Sequence, residues 1–339
     1  MENKNKSKSS KINLSQLVLL GLGSLIGSGW LFGAWEASSI AGPAAIISWI
    51  IGFIVIGTIA YNYIEIGTMF PQSGGMSNYA QYTHGSLLGF IAAWANWVSL
   101  VTIIPIEAVS AVQYMSSWPW EWAKPMGALM KDGSISTIGL FAVYVIIAIF
   151  SLLNYWSVKL LTSFTSLISV FKLGVPLLTI IMLMISGFDT NNYGHSASAF
   201  MPYGSAPIFA ATTTSGIIFS FNAFQTIINM GSEIKNPEKN IARGIAISLT
   251  LSAILYIILQ STFITSMPQS MIHSHGWHGI NFNSPFADMA ILLSINWLAI
   301  LLYIEAVVSP FGTGVSFVAI TGRVLSAMEK NGHIPKFLG

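Results

Sequence analysis

Three ionisable side chains, Glu107, Lys172 and Glu305, stand in stretches that are otherwise almost entirely apolar. On insertion scales a charge at the centre of a spanning helix costs about 2.5–3.5 kcal/mol, so the three together cost roughly 8–10 kcal/mol. That rivals the net stability of a whole domain, and groups so expensive are paired or used. Burial penalises the Lys172 ammonium, so the amine can load and release a proton. The alternative is a permanent cation that braces neighbouring spans through backbone carbonyls and the hydroxyl of Ser309 or Thr313. Glu107 follows Pro105 and Glu305 precedes Pro310. Each carboxyl can carry a proton, pair with Lys172, or receive a cationic side chain of a ligand.

A second chemical feature is made of backbone. Gly21, Gly23, Gly27, Gly29 and Gly33, with Ser24 and Ser28 between them, interrupt an apolar run long enough to cross a bilayer. In hydrocarbon, non-helical backbone is tolerated only where protein buries it or it lines a cavity, so such an interruption points to a binding site. The alternative is that the small residues only let helices pack closely. His273, His275 and His278 have the residue type of a metal site, but their polar setting reads as a wet loop. No nucleophile, base and orienter combination and no metal-ligand set occurs at a useful spacing, so the chain is not read as an enzyme, and no cofactor is implied.

The elements that must position these groups follow from composition. Of 339 residues, 53% are hydrophobic and only 8% charged, against about 25% charged in soluble domains. Mean hydropathy is +0.68. This is an all-α integral membrane protein surrounded by lipid. No cysteine is present, so disulfides and thiol chemistry are excluded. A net charge of +2 gives no support to nucleic-acid binding. Apolar runs of about 18 residues or more fall near 14–40, 44–70, 87–114, 138–155, 160–187, 207–230, 241–267 and 286–320. The expectation is eight spanning segments.

With the amino terminus in the cytoplasm, the inner side collects Lys4, Lys6, Lys8, Lys11, Lys159, Lys235, Lys239, Arg243, Arg323, Lys330 and Lys336, while the outer side holds Lys124 and Lys131. That bias sets the orientation. Residues 1–13 read as a cytoplasmic polar tail, 14–320 as one membrane domain and 321–339 as a cytoplasmic segment. Trp118, Trp120 and Trp122 read as interfacial anchors at the outer end of segment three.

Four motifs now stand in order: the glycine-rich first segment; Glu65-Ile66-Gly67-Thr68-Met69-Phe70-Pro71-Gln72-Ser73-Gly74-Gly75; Glu233-Ile234-Lys235-Asn236-Pro237-Glu238-Lys239; and Arg323 to Pro335. Together they resemble the amino acid, polyamine and organocation (APC) superfamily, in its amino-acid permease branch. The resemblance implies an inverted five-helix-repeat (LeuT-like) transporter fold, with a first repeat about 14–187, a partial second repeat about 207–320, and segments one and six broken at mid-membrane. Members usually have twelve spans, so segments nine to twelve are absent here, as in a fragment or a shortened relative. The stretch from Gly27 to Trp35 is similar to a branch described as aspartate-proton symporters.

What the resemblance implies about the site is specific. An α-amino acid would bind at the two breaks, on Gly27, Ser28, Gly29 and Trp30 in segment one and on Phe219, Ser220, Phe221, Asn222 and Ala223 in segment six. Helix N-termini suit its carboxylate and C-terminal carbonyls its ammonium. Lys172 occupies the place of a sodium ion found in sodium-coupled relatives, which makes Lys172, Glu107 and Glu305 the proton-coupling candidates. Glu65 and Phe224 are gating candidates, and lipid or core packing is an equal reading for Phe219, Phe221 and Phe224. Ala223 stands where relatives often have glycine, and Gln225 where some have an acid. The activity implied is secondary, proton-coupled amino-acid symport across the cell membrane, with exchange or non-transporting sensing as alternatives.

Overall fold

The computed structural model describes residues 11–156 and 158–338, with side chains throughout except at 156–167, 169 and 170. Lys4, Lys6, Lys8 and the side chain of Lys159 therefore lie outside the described residues, as does most of the polar tail.

Helix α1, Leu14–Leu25, starts at Asn13, whose side chain accepts from the Gln16 N–H while the Gln16 side chain accepts from the Asn13 N–H. That reciprocal cap fixes where the helix begins. Four non-helical residues follow, and α2 runs Trp30–Ala41. Gly42, at φ 64°, turns the chain into α3, Ala45–Met69.

The third apolar run is two helices, α4 (Met76–Val101) and α5 (Ile103–Ser116). Pro105 has no N–H to offer the preceding turn, and Thr102 folds its hydroxyl back onto the carbonyls of Val98 and Ser99 at 3.0 and 3.1 Å. Helical structure begins at Met76 rather than Leu87, with a kink at Gly85, φ 79°. A two-stranded hairpin, β1 (Met130–Lys131) and β2 (Ser134–Ile135), leads to α6, Thr137–Trp156, and α7, Val158–Gly187. Trp118, Trp120 and Trp122 pack on one another, with ring centroids 5.4–5.8 Å apart.

The short helix α8 (Ala197–Phe200) precedes a segment built of pieces: α9 (Ala206–Thr214), α10 (Ile217–Phe221), one 3₁₀ turn at Asn222–Phe224, and α11 (Gln225–Asn229). The interruption therefore opens at Ser215–Gly216, earlier than the Phe219–Phe224 stretch expected from sequence. Thr214 and Ser215 turn their hydroxyls onto the carbonyls of Ala210 and Ala211, and Gly216 takes a left-handed φ of 78° that ends α9.

After these come α12 (Pro237–Ser266), α13 (Gln269–Gly279), α14 (Pro285–Leu292) and α15 (Asn296–Lys330). Two expectations change here. The last apolar run divides at Ser294, φ 61°, so its long helix starts at Asn296 instead of Phe286. That helix also runs on through Arg323 to Lys330, past the boundary at residue 321.

Among the described residues, five stretches are long and apolar enough to cross a membrane: Trp30–Met69, Met76–Ser116, Thr137–Tyr155, Pro237–Ser266 and Asn296–Lys330. The arrangement is that of an all-α, multi-pass membrane protein. Buried polar side chains tie α2 into the bundle. Trp49 donates its indole N–H to Gln260 at 2.8 Å, and Gln260 donates to the Ala34 carbonyl at 3.1 Å and the Ser38 hydroxyl at 2.7 Å. Tyr256 donates to the Leu25 carbonyl at the end of α1, and Tyr114 to that of Leu31 in α2. The gap between α1 and α2 is thereby held from both sides.

One end of the bundle is closed by backbone pairing. Ile12 bridges Ile234, and Ser73 bridges Met230. Gly74 donates to Asn229 at 2.8 Å, and its φ of 67° and the closeness of Ala327 leave no room for a Cβ there. Arg323 pairs with Glu233 at 3.4 Å. His333 contacts Gln81 at 2.6 Å, and burial holds its imidazole below the usual value.

Candidate functional site

Residues Ile26 to Gly29 carry the first group of chemical interest, which is unspent backbone. Leu31 and Phe32 donate back to Ser28 and Gly29, which starts α2. Ser28 donates its N–H to both oxygens of Glu107, at 3.1 and 3.3 Å. Among the described residues the N–H groups of Gly29 and Trp30 meet no acceptor. They sit at the positive end of the α2 dipole, where an anion is favoured.

Gly27 has a packing reason to be glycine. A Cβ there would overlap the Glu107 carboxylate and come within 3.5 Å of the Thr313 hydroxyl. The missing side chain lets α5 present Glu107 against the gap.

These residues border a cavity of about 350 Å³. Gly27, Ser28 and Gly29 line it from the first interruption, Ser215, Gly216, Phe219, Ser220 and Ala223 from the second, and Glu107, Thr313 and Phe317 from α5 and α15. The two interrupted segments thus face each other across a single space. Of the residues expected to bind, Trp30, Phe221 and Asn222 turn elsewhere. Trp30 packs on Phe286 at 5.4 Å, and Phe221 on Trp49, Phe53 and Tyr256. Asn222 donates to Ser99 at 2.9 Å and accepts from Gln225 at 2.6 Å. Phe224 is buried against Tyr63, and Glu65 is exposed, while Arg323 takes Glu233 as its partner.

Lys172 lies one layer behind the cavity, only 2% exposed. Its Nζ donates to the Gly23 carbonyl of α1 and, at 2.6 Å, to the Thr313 hydroxyl of α15. Among the described residues no carboxylate stands within 4.0 Å of it, so the simple Lys–Glu ion pair does not form. Glu305 is fully buried, and among the described residues neither of its oxygens nor the Ser309 hydroxyl one turn on has a partner. The three histidines belong to helix α13 instead of a loop: His278 stacks on Tyr203 at 3.5 Å, and no metal-holding cluster of His, Asp or Glu occurs among the described residues.

Sequence reasoning passed over Glu36, Ser110 and Gln113, which line the same cavity. The signal was present. Gly29, Gly33 and Glu36 are spaced four and three apart, which puts them on one face of α2.

Apolar helices around a cavity lined by two interrupted segments make this a multi-pass membrane protein with a candidate small-molecule site. The chain belongs to the amino acid permease family, whose pattern it matches over residues 12–339. It is 53% identical over 323 residues to the glutamate/serine transporter AimA of Bacillus subtilis (strain 168), covering 95% of this chain and 60% of that protein. It is 36% identical to the aspartate-proton symporter of the same organism, over 95% of this chain and 61% of the relative. The branched-chain amino acid permease BcaP of that organism is 26% identical, over 97% and 69%. The chain thus spans about 60% of the length of the first two relatives. All three are transporters rather than enzymes.

Proposed function

We propose that this chain is the substrate-binding part of a secondary transporter that carries an α-amino acid across the cell membrane together with protons, by alternating access. The observation that carries the reading is the meeting of the two interrupted segments at one cavity, where Gly29 holds an unspent N–H group. The α-carboxylate docks there, and the ammonium faces the residues that end α1 and α9. No cofactor takes part, and the coupling ion is H⁺.

In this reading the chain crosses the membrane eight times from a cytoplasmic amino terminus, α1 with α2 forming the first crossing and α9 to α11 the sixth. Residues 14–320 form the membrane domain, as two repeats about 14–187 and 207–320. The positive-inside bias supports the orientation. The pairing of Ile12, Ser73 and Arg323 with segment six and its following loop is then a closed cytoplasmic gate. Phe219 lines the cavity and gates it.

Lys172 links protonation to the position of α1. Its ammonium donates to both Gly23 and Thr313, whereas a neutral amine keeps two N–H groups but loses the charge that strengthens both bonds, and so loosens α1 from α15. Glu107 stands between this group and the substrate through Ser28, and Glu305 supplies a second proton-bearing site.

The site is tested by binding. Saturable binding of a labelled L-amino acid to the purified protein should be displaced by other α-amino acids. N-acetylated or methyl-esterified derivatives, which lose one charged group, should be weaker competitors by about tenfold or more. Equal competition by the blocked derivatives would overturn the assignment of the two interrupted segments.

A further inference from the structure

We propose that Glu36 reads the substrate's side chain, and that an acidic side chain is accepted only with one proton shared between it and the Glu36 carboxylate. The inference rests on the amino-acid reading of the cavity.

Glu36 is half-buried in the cavity wall, on the same face of α2 as Gly29 and Gly33. Seven residues of helix place it about 10 Å beyond Gly29. Helical side chains lean back toward the amino terminus, so its carboxyl lies on the Gly33 side of the cavity wall, where Gly33 adds no side chain of its own and the Trp49 ring packs beside it. Docking of the α-carboxylate at Gly29 therefore aims an extended side chain along this face.

The surroundings leave Glu36 to the ligand. Among the described residues its carboxylate has no hydrogen bond and no ion pair. Among the described residues no lysine, arginine or histidine lines the cavity, and its other carboxylate, Glu107, already accepts from Ser28. The elements packed around α2 carry Asp288 on α14, His273, His275 and His278 on α13, Tyr256, Glu238, Lys239 and Arg243 on α12, and Tyr61, Tyr63 and Glu65 on α3, with Tyr114 and Glu107 on α5; of these only Glu107 lines the cavity. His278 is engaged with the Ser39 carbonyl, Asp288 with the Ser284 N–H, Tyr256 with Leu25 and Tyr114 with Leu31. Helix α9 brings no acid or base.

Two carboxylates in contact do not both remain ionised. A proton taken from water bonds to one carboxylate oxygen and is donated to the other carboxylate; it returns to water when the substrate leaves. A serine hydroxyl needs no such proton, because it donates its own hydrogen to the ionised Glu36. Acidic substrates therefore bind with one proton more than neutral polar ones.

The test compares labelled L-serine and L-aspartate binding to the purified protein between about pH 5 and 8, for wild type, E36Q and E36D. In wild type the aspartate Kd should rise by about tenfold per pH unit relative to the serine Kd above the titration of the shared proton. E36Q should bind serine yet show parallel pH profiles for the two ligands, and E36D should restore the divergence. Divergence that persists in E36Q, or parallel profiles in wild type, overturns the role of Glu36 and leaves the amino-acid site standing. Failure of wild type to bind serine or aspartate at all overturns both.

Discussion

Replacing Lys172 with methionine is expected to abolish the stimulation of amino-acid uptake by an inward proton gradient, a loss of about tenfold or more, while substrate binding stays within a few-fold of wild type. Methionine matches the length and apolar body of the lysine without its charge or its donors. Because Lys172 lies behind Thr313 and does not line the cavity, its loss removes no direct contact with the ligand. What disappears is the pair of bonds from Nζ to Gly23 and Thr313 that ties α1 to α15. The Gly23 carbonyl is left without its donor, at a cost of about 1–3 kcal/mol, so a lower melting temperature should accompany the uncoupling. Uptake assays in reconstituted vesicles and a thermal melt separate the two effects. Uptake by Lys172→Met that keeps its full dependence on the gradient would leave Lys172 a brace only, and would favour exchange over symport.

A comparably large effect is expected from one methyl group at residue 27. In Gly27→Ala the new Cβ occupies the space of the Glu107 carboxylate, so α5 must withdraw that group from the Ser28 N–H. Overpacking of this kind costs about 1–3 kcal/mol. The displaced carboxylate also leaves the gap between α1 and α2 unbraced, so ligand affinity should fall by about tenfold or more. Gly57→Ala is the matched control. A Cβ at Gly57 meets nothing within 4 Å, and alanine within α3 should raise stability by about 0.5–1 kcal/mol without touching binding. Titration of both variants with labelled ligand checks the contrast, and wild-type affinity in Gly27→Ala would show that Glu107 does not shape the site.

The parts of this architecture that were legible in the sequence are those set by a single strong local term. Apolar runs marked the helices because hydrocarbon demands them, and five glycines marked the gap after Leu25 because few other causes put that many in one span. The second interruption was misplaced because its cause is spread over Thr214, Ser215 and Gly216, where hydroxyl back-bonding and one left-handed residue act together in a stretch that reads as apolar. The division at Ser294 was hidden likewise, since hydropathy is continuous across a turn made by one residue's φ. Lys172 was found as a buried cation, and Thr313 was named as one of two possible hydroxyl partners. Its lack of an ion pair follows from how α5, α7 and α15 pack, which no local pattern records. Glu36 escaped notice because it lies toward the end of α2, where a charge in sequence looks like the edge of a span. Only its helical register with Gly29 and Gly33 shows that it faces inward.

The central claim is that ligand captured between the two interrupted segments is moved by a proton gradient. Its most direct measurement is uptake of a panel of labelled amino acids into vesicles containing the purified protein, with and without an inward proton gradient and with a proton ionophore as control. Accumulation of one amino-acid class above its external concentration, present only with the gradient and collapsed by the ionophore, is the predicted result. Filling of the vesicles to the same level whether or not a gradient is imposed would contradict it.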